Sequence, residues 1–221
     1  MDKLITVLWL AVLLSILTIL VIPETRNSFV EITVNYPYIL GFIKFSILGI
    51  MGELLSFKIA TGKWKLTGIG IFYRMLVWGF LGLVFTVVFP LFSYGVDGVI
   101  NSGLLAGEGN RLLTAFWKSF IMNIIFAFPF MSFHRITDTL IDRKQLFSKW
   151  PLIEIYQNID WENMFKIVGF AILWFWIPAH TITFMLPPEF RVITAALLAI
   201  VLGFILGFAK RMSVKQEKVS A

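Results

Sequence analysis

Apolar residues fall in six nearly unbroken runs, at about residues 4–22, 39–55, 69–94, 114–133, 167–186 and 192–208, separated by short polar gaps. The runs are 17 to 26 residues long. About 20 helical residues cross a bilayer core, so the pattern predicts an all-α, polytopic transmembrane bundle of six spans, a single transmembrane domain over residues 1–221. The first run ends in Val21-Ile22-Pro23 without a small-residue cleavage pattern. It therefore reads as a retained helix and not as a signal peptide.

The gaps differ in character. Residues 95–113 hold five glycines, including Gly107-Glu108-Gly109-Asn110. With no strand before them and no Lys-Ser/Thr after them, they read as a connector and not as a phosphate loop. In residues 134–166, Ile136, Leu140 and Phe147, then Leu152, Ile155, Tyr156 and Ile159, recur at helical spacing among charges. This predicts two amphipathic helices broken at Trp150-Pro151, lying in the inner headgroup layer or offering a face to a partner helix. Asp160 is placed to cap the fifth span.

Composition agrees with the pattern: 58% of the 221 residues are apolar, 14% are charged, and the mean hydropathy is +0.85. A soluble domain is excluded. No cysteine occurs and there are two histidines, which removes disulfides, thiolate zinc sites and thiol nucleophiles, and leaves no metal or cofactor expected. The net charge of +6 flanks the apolar runs, pointing to a bilayer with an anionic inner leaflet as partner in place of nucleic acid.

Six spans put both termini on one side. That side gathers Lys3, Lys58, Lys63, Lys65, Arg135, Arg143, Lys144, Lys149, Lys166, Lys210, Arg211, Lys215 and Lys218. The other holds Arg26, Arg111 and Arg191. A bias of 13 to 3 predicts cytoplasmic termini.

Packing in lipid depends on small residues that let backbones approach. Ala195, Ala199, Gly203 and Gly207 form one stripe at four-residue spacing, Gly49, Gly52 and Ser56 a second, and Gly79 and Gly82 recur in the third span. The first stripe serves either packing within the chain or a homo-oligomer. Pro90, Pro129 and Pro178 bend their helices, which allows a cavity between them.

Charges at membrane depth require partners or a function. Glu53 and Arg74 stand at similar height on consecutive spans and can form an ion pair or a gate. On the other side, Lys118, Asn123, His180, Thr181, Thr183 and Arg191 make a candidate cationic, hydrogen-bonding pore mouth, with no acidic residue of a span in that layer. Lys44, turned away from Glu53, is expected to snorkel to the outer headgroups. For catalysis, His134 and Asp138 are one residue too close for the His-x4-Asp pair of membrane acyltransferases, and no hydrolase or metalloprotease motif is present. No catalytic residue is assigned.

In their order, these polar and proline positions resemble the Mpv-seventeen type family of small peroxisomal and mitochondrial membrane proteins, from Tyr36 to Arg211. The resemblance rests on Pro37, Gly52-Glu53, Arg74, Lys118, Phe126-Ala127, Pro129, Ile177-Pro178, Phe184, Pro187 and Arg191. Met122-Asn123 stands in place of the family's Asp-Gln, and Leu202-Gly203 in place of its Trp-Asn. The resemblance implies a multi-helix pore or transport-like protein. Without an Arg-rich, Ser-rich leader, a prokaryotic inner (plasma) membrane is the expected home in preference to an organelle. The resulting expectation is a channel or transporter for small solutes, its outer mouth biased toward small anions. A non-conducting scaffold or assembly factor is the alternative, and a lipid-modifying enzyme comes third.

Overall fold

The computed structural model describes residues 2–220, with side chains described through residue 212. Every regular element among the described residues is helical. In chain order they are α1 (Asp2–Val21), α2 (Pro23–Asn35), α3 (Pro37–Thr61), α4 (Ile71–Asn101), α5 (Arg111–Met122), α6 (Phe128–Asp142), α7 (Leu152–Gln157), α8 (Trp161–Ala171), α9 (Ile177–Met185) and α10 (Pro188–Ser220). π-helical turns at Asn123–Ala127 and Ile172–Trp176 join α5 to α6 and α8 to α9. Counted with these turns as continuous rods, six helices are long and apolar enough to cross a membrane: Asp2–Val21, Pro37–Thr61, Ile71–Asn101, Arg111–Asp142, Trp161–Met185 and Pro188–Met212. Lys215 and Lys218 of the basic count lie outside the described side chains.

The helices outrun the apolar runs. α4 continues past Tyr94 because Val96 and Ile100 are buried, so tertiary packing outweighs Gly95 and Gly98. The fourth span runs on to Asp142, with Thr137, Leu140 and Ile141 buried. Residues 134–142 of the expected interfacial segment thus continue a spanning helix. Leu140, Ile155 and Ile159 form a small core with Ile136, Trp150 and Trp161 packed on it, whereas Phe147, Leu152 and Tyr156 are exposed. Asp160 does cap: its carboxylate accepts from Asn163 N–H at 3.0 Å, and the helix begins at Trp161.

The chain forms two compact units, Met1–Leu83 with Ala196–Ala221, and Val84–Ala195; the boundary falls inside α4 and α10. In the first unit, no side chain of α1 is buried, as suits a helix apolar on every side that faces lipid. Trp9 Nε1 donates to Met51 O at 3.1 Å, Trp64 Nε1 to Thr6 Oγ1 at 2.9 Å, and Lys58 Nζ to Asp2 Oδ2 at 3.0 Å. α2 has no counterpart among the sequence expectations. Pro23 opens it, Glu24 sits in its first turn, and Tyr36 ends it ahead of Pro37. A proline lacks only a hydrogen bond that the first turn leaves unused anyway.

The small-residue faces meet within this unit. A Cβ on Gly203 would overlap Gly52 O, one on Gly52 would overlap Ala199 O, and one on Gly207 would lie 2.6 Å from Ser56 O. The stripe that offered a homo-oligomer surface is therefore filled, from Ala199 to Gly207, by the second span of the same chain.

In the second unit, α5 packs along α9, the two π turns adjoin, and α6 reaches α8. Each π turn is followed two residues later by a proline, Pro129 and Pro178. A proline ring would strike the carbonyl four residues back, here Ile125 or Trp174. A widened turn moves that carbonyl aside.

Candidate functional site

The second unit holds the polar residues expected to line a mouth, and it sorts them into two layers. The deeper layer begins on α5, where Ser119 lies four residues before Asn123 and so on the same helical face. Ser119 Oγ donates to Ile177 O at 2.7 Å. Asn123 Nδ2 donates to Ser119 O at 2.8 Å and lies 3.1 Å from His180 Nδ1. The His180 ring stacks on Trp176 with centroids 5.1 Å apart and meets the edge of Phe89 at 5.9 Å. Asn123 and His180 are 2% and 3% exposed, so this is a polar core inside an apolar bundle.

The carbonyl of Ser119 accepts only, which fixes the Asn123 amide with its nitrogen toward Ser119. One amide hydrogen serves Ser119 O, and His180 Nδ1 lies 3.1 Å from the amide nitrogen and 3.3 Å from the amide oxygen, so it accepts from the one or donates to the other according to its tautomer. Nε2 is buried and meets no hydrogen-bonding atom among the described residues.

The second layer is charged. Lys118 Nζ lies 2.7 Å from Asp97 Oδ2. This overturns the expectation that no acidic residue of a span shares the Lys118 layer: α4 runs beyond Tyr94 and carries Asp97 there. Lys118 is buried against this counter-ion, whose own carboxylate is partly exposed. Arg191 donates to Ser93 Oγ at 3.2 Å, Leu186 O at 3.1 Å and Phe184 O at 3.4 Å. It neutralises the carbonyl end of α9, and Arg111 does the same at Met185 O.

Thr181 and Thr183 hydroxyls donate to Ile177 O and Ala179 O, four residues back on their own helix, at 2.7 and 2.9 Å. They satisfy themselves locally. Of the six residues proposed for one mouth, the fold joins Asn123 to His180 and ties Lys118 and Arg191 to other partners. Ser119, Asp97, Ser93 and Trp176 were missed. Only Ser119 had a signal, its four-residue spacing from Asn123.

In the first unit, Arg74 Nη1 is 3.4 Å from Glu53 Oε2, and Trp78 Nε1 donates to Glu53 Oε1 at 2.7 Å. Arg74 Nε also donates to Ile69 O at 2.8 Å. Trp78 comes one turn after Arg74, so the two donors reach the carboxylate from one helical face. Lys44 departs from expectation. It is 5% exposed, its Nζ donates to Thr33 Oγ1 at 2.9 Å, and it stands 4.3 Å from the Phe29 ring centroid. α2 supplies both partners, and because α2 was not foreseen, snorkelling to headgroups looked to be the only outlet.

His134 Nδ1 and Asp138 Oδ2, one turn apart on α6, are 3.2 Å apart. No protein-family model, no curated protein and no solved structure matches this chain.

Proposed function

We propose that this chain is a multi-pass membrane protein that passes small solutes, and that the Asn123–His180 pair is the polar station on their route. One observation carries the reading. Two antiparallel spans place an asparagine and a histidine against each other at full burial, beside adjoining π turns, where an apolar bundle needs neither. Ionisable and amide groups at membrane depth are costly and mark pathways more often than packing, and π turns are frequent at functional positions.

The 13 to 3 basic bias supports cytoplasmic termini and an anionic inner leaflet as the facing surface. The likeness to the Mpv-seventeen type family supports the pore-like class. The anion preference loses its premise, because Asp97 offsets Lys118 and Arg191 is engaged at a helix end. We therefore assign solute passage without an anion bias.

The near-complete burial of Asn123, His180 and Thr183 favours a second reading, a non-conducting scaffold. Purified protein in liposomes separates the two. Shrinking and reswelling of vesicles challenged with urea, glycerol, sodium chloride or sodium formate should be faster than in protein-free vesicles for at least one solute. Rates equal to the protein-free control for all four would reject solute passage and favour the scaffold.

A further inference from the structure

We infer that the exposed face of α7, with the turn before it, docks onto anionic phospholipid headgroups of the leaflet at the Asp142 end of the fourth span; this goes beyond solute passage and does not depend on it. The six residues of α7 carry apolar side chains on two sides. Ile155 is buried and joins Leu140 and Ile159. Leu152, Ile153 and Tyr156 are exposed, Ile153 at 77%. At 3.6 residues per turn the three fall within an arc of about 100°, so they form one face. Ahead of them Phe147 stands out at 78% exposure, on a turn closed by Gln145 N–H to Leu140 O at 2.7 Å and Ser148 N–H to Gln145 O at 3.0 Å. Contact with water would be unfavourable for so much apolar surface, and patches of this kind mark interaction sites.

A row of rings leads from the bilayer to this face. Phe128, inside the fourth apolar run, stacks on Phe165 with centroids 4.0 Å apart; Trp161 follows at 6.3 Å from Phe128, and Tyr156 at 4.4 Å from Trp161. Trp161 Nε1 also donates to Tyr156 O at 2.8 Å. Phe165 is exposed on a helix long and apolar enough to span, so the row begins on a lipid-facing surface and ends on α7. Tryptophan and tyrosine are the rings that settle at headgroup depth. Charge selects among lipids. Residues 143–157 hold Arg143, Lys144 and Lys149 against one acid, Glu154, and Glu154 is paired with Arg143 at 2.6 Å. Lys144 and Lys149 are exposed and bind no carboxylate among the described residues. They flank Phe147, so the ring can enter the upper acyl layer while the two ammonium groups stay at phosphate level.

The chain has no cysteine, so a bimane fluorophore on Ile153→Cys reports on this face alone in the full chain reconstituted in lipid nanodiscs. The position is exposed, so the label replaces no core side chain. Lipids brominated near the headgroup should quench the bimane, and aqueous iodide should quench it less than the same label at Ser102→Cys on the glycine-rich connector. In mixtures with phosphatidylcholine, brominated phosphatidylglycerol should quench beyond its share of the lipid. Lys144→Gln and Lys149→Gln should each lower that preference by about fivefold, the worth of one basic residue at an anionic surface. Lys144→Arg with Lys149→Arg should keep it.

Iodide quenching equal to that at Ser102 would put the face in water, and a bimane shielded from both iodide and brominated lipid would mean that a protein surface covers it; either result overturns the inference. Quenching by phosphatidylglycerol only in proportion to its share, or a preference that survives the loss of both lysines, would overturn it as well.

Discussion

Lys118 and Asp97 stand 2.7 Å apart, one on α5 and one on the last turns of α4, so the cation buried in this layer brings its own counter-ion. Lys118 is 9% and Asp97 43% exposed at the side chain. Asp97→Asn should therefore cost about 1 to 3 kcal/mol, between the values for exposed and buried pairs. The melting temperature in detergent would fall, and Asp97→Asn with Lys118→Met should recover part of the loss. In liposomes, Asp97→Asn alone should raise formate flux relative to urea flux, and an unchanged ratio would place the pair off the route.

Glu53→Gln should lower thermal stability by weakening the bond to Arg74 while leaving an oxygen for Trp78 Nε1. The charge swap, Glu53→Arg with Arg74→Glu, should recover little, because Trp78 then lacks its acceptor. Full recovery in the swap would mean that the 2.7 Å Trp78 bond contributes nothing.

Two glycines on spanning helices should respond oppositely to alanine. At Gly203 the new methyl would run into Gly52 O, while at Gly95 it would meet nothing within 4 Å. Gly203→Ala should lose about 1 to 3 kcal/mol through overpacking, and Gly95→Ala should gain up to about 1 kcal/mol from helix propensity. Parallel melting curves of the two variants settle it, and equal shifts would show that α3 and α10 do not touch there.

The orientation is tested by labelling, which the absence of cysteine makes clean. Ser102 and Ser148 are exposed, so Ser102→Cys should react with an impermeant maleimide added outside cells, and Ser148→Cys only after the membrane is opened. The reverse pattern would invert the proposed topology.

The sequence carried the spans because a 20-residue apolar run has few other uses. It also carried the Asp160 cap and the small-residue faces, which follow from spacing on a single helix, and the Glu53–Arg74 encounter, which follows from the heights of two residues on consecutive spans. It hid whatever depended on one helix continuing or on a second helix being there. Asp97 became visible only once buried Val96 and Ile100 extended α4. Lys44 found Thr33 and Phe29 only because polar residues 23–35 form α2, which has no apolar run to announce it. The π turns were hidden as well, since a proline signals a break in the hydrogen-bond ladder but not how the ladder will repair it.

A π turn is a helix carrying one residue more than its ladder can use, and the bulge absorbs that surplus so that the helices on either side keep their phase. Deleting a single residue from Ile172–Trp176 and restoring regular helix would therefore leave α9 close to its present facing, with Pro178 set against the carbonyl four residues back. Deleting Ala179 instead, from regular helix, would turn every later residue by about 100°. Thr183 and Phe184 would still be present and the helix still apolar, but His180 would swing away from Asn123. In this part of the chain, where a residue is lost is as decisive as which residue it is.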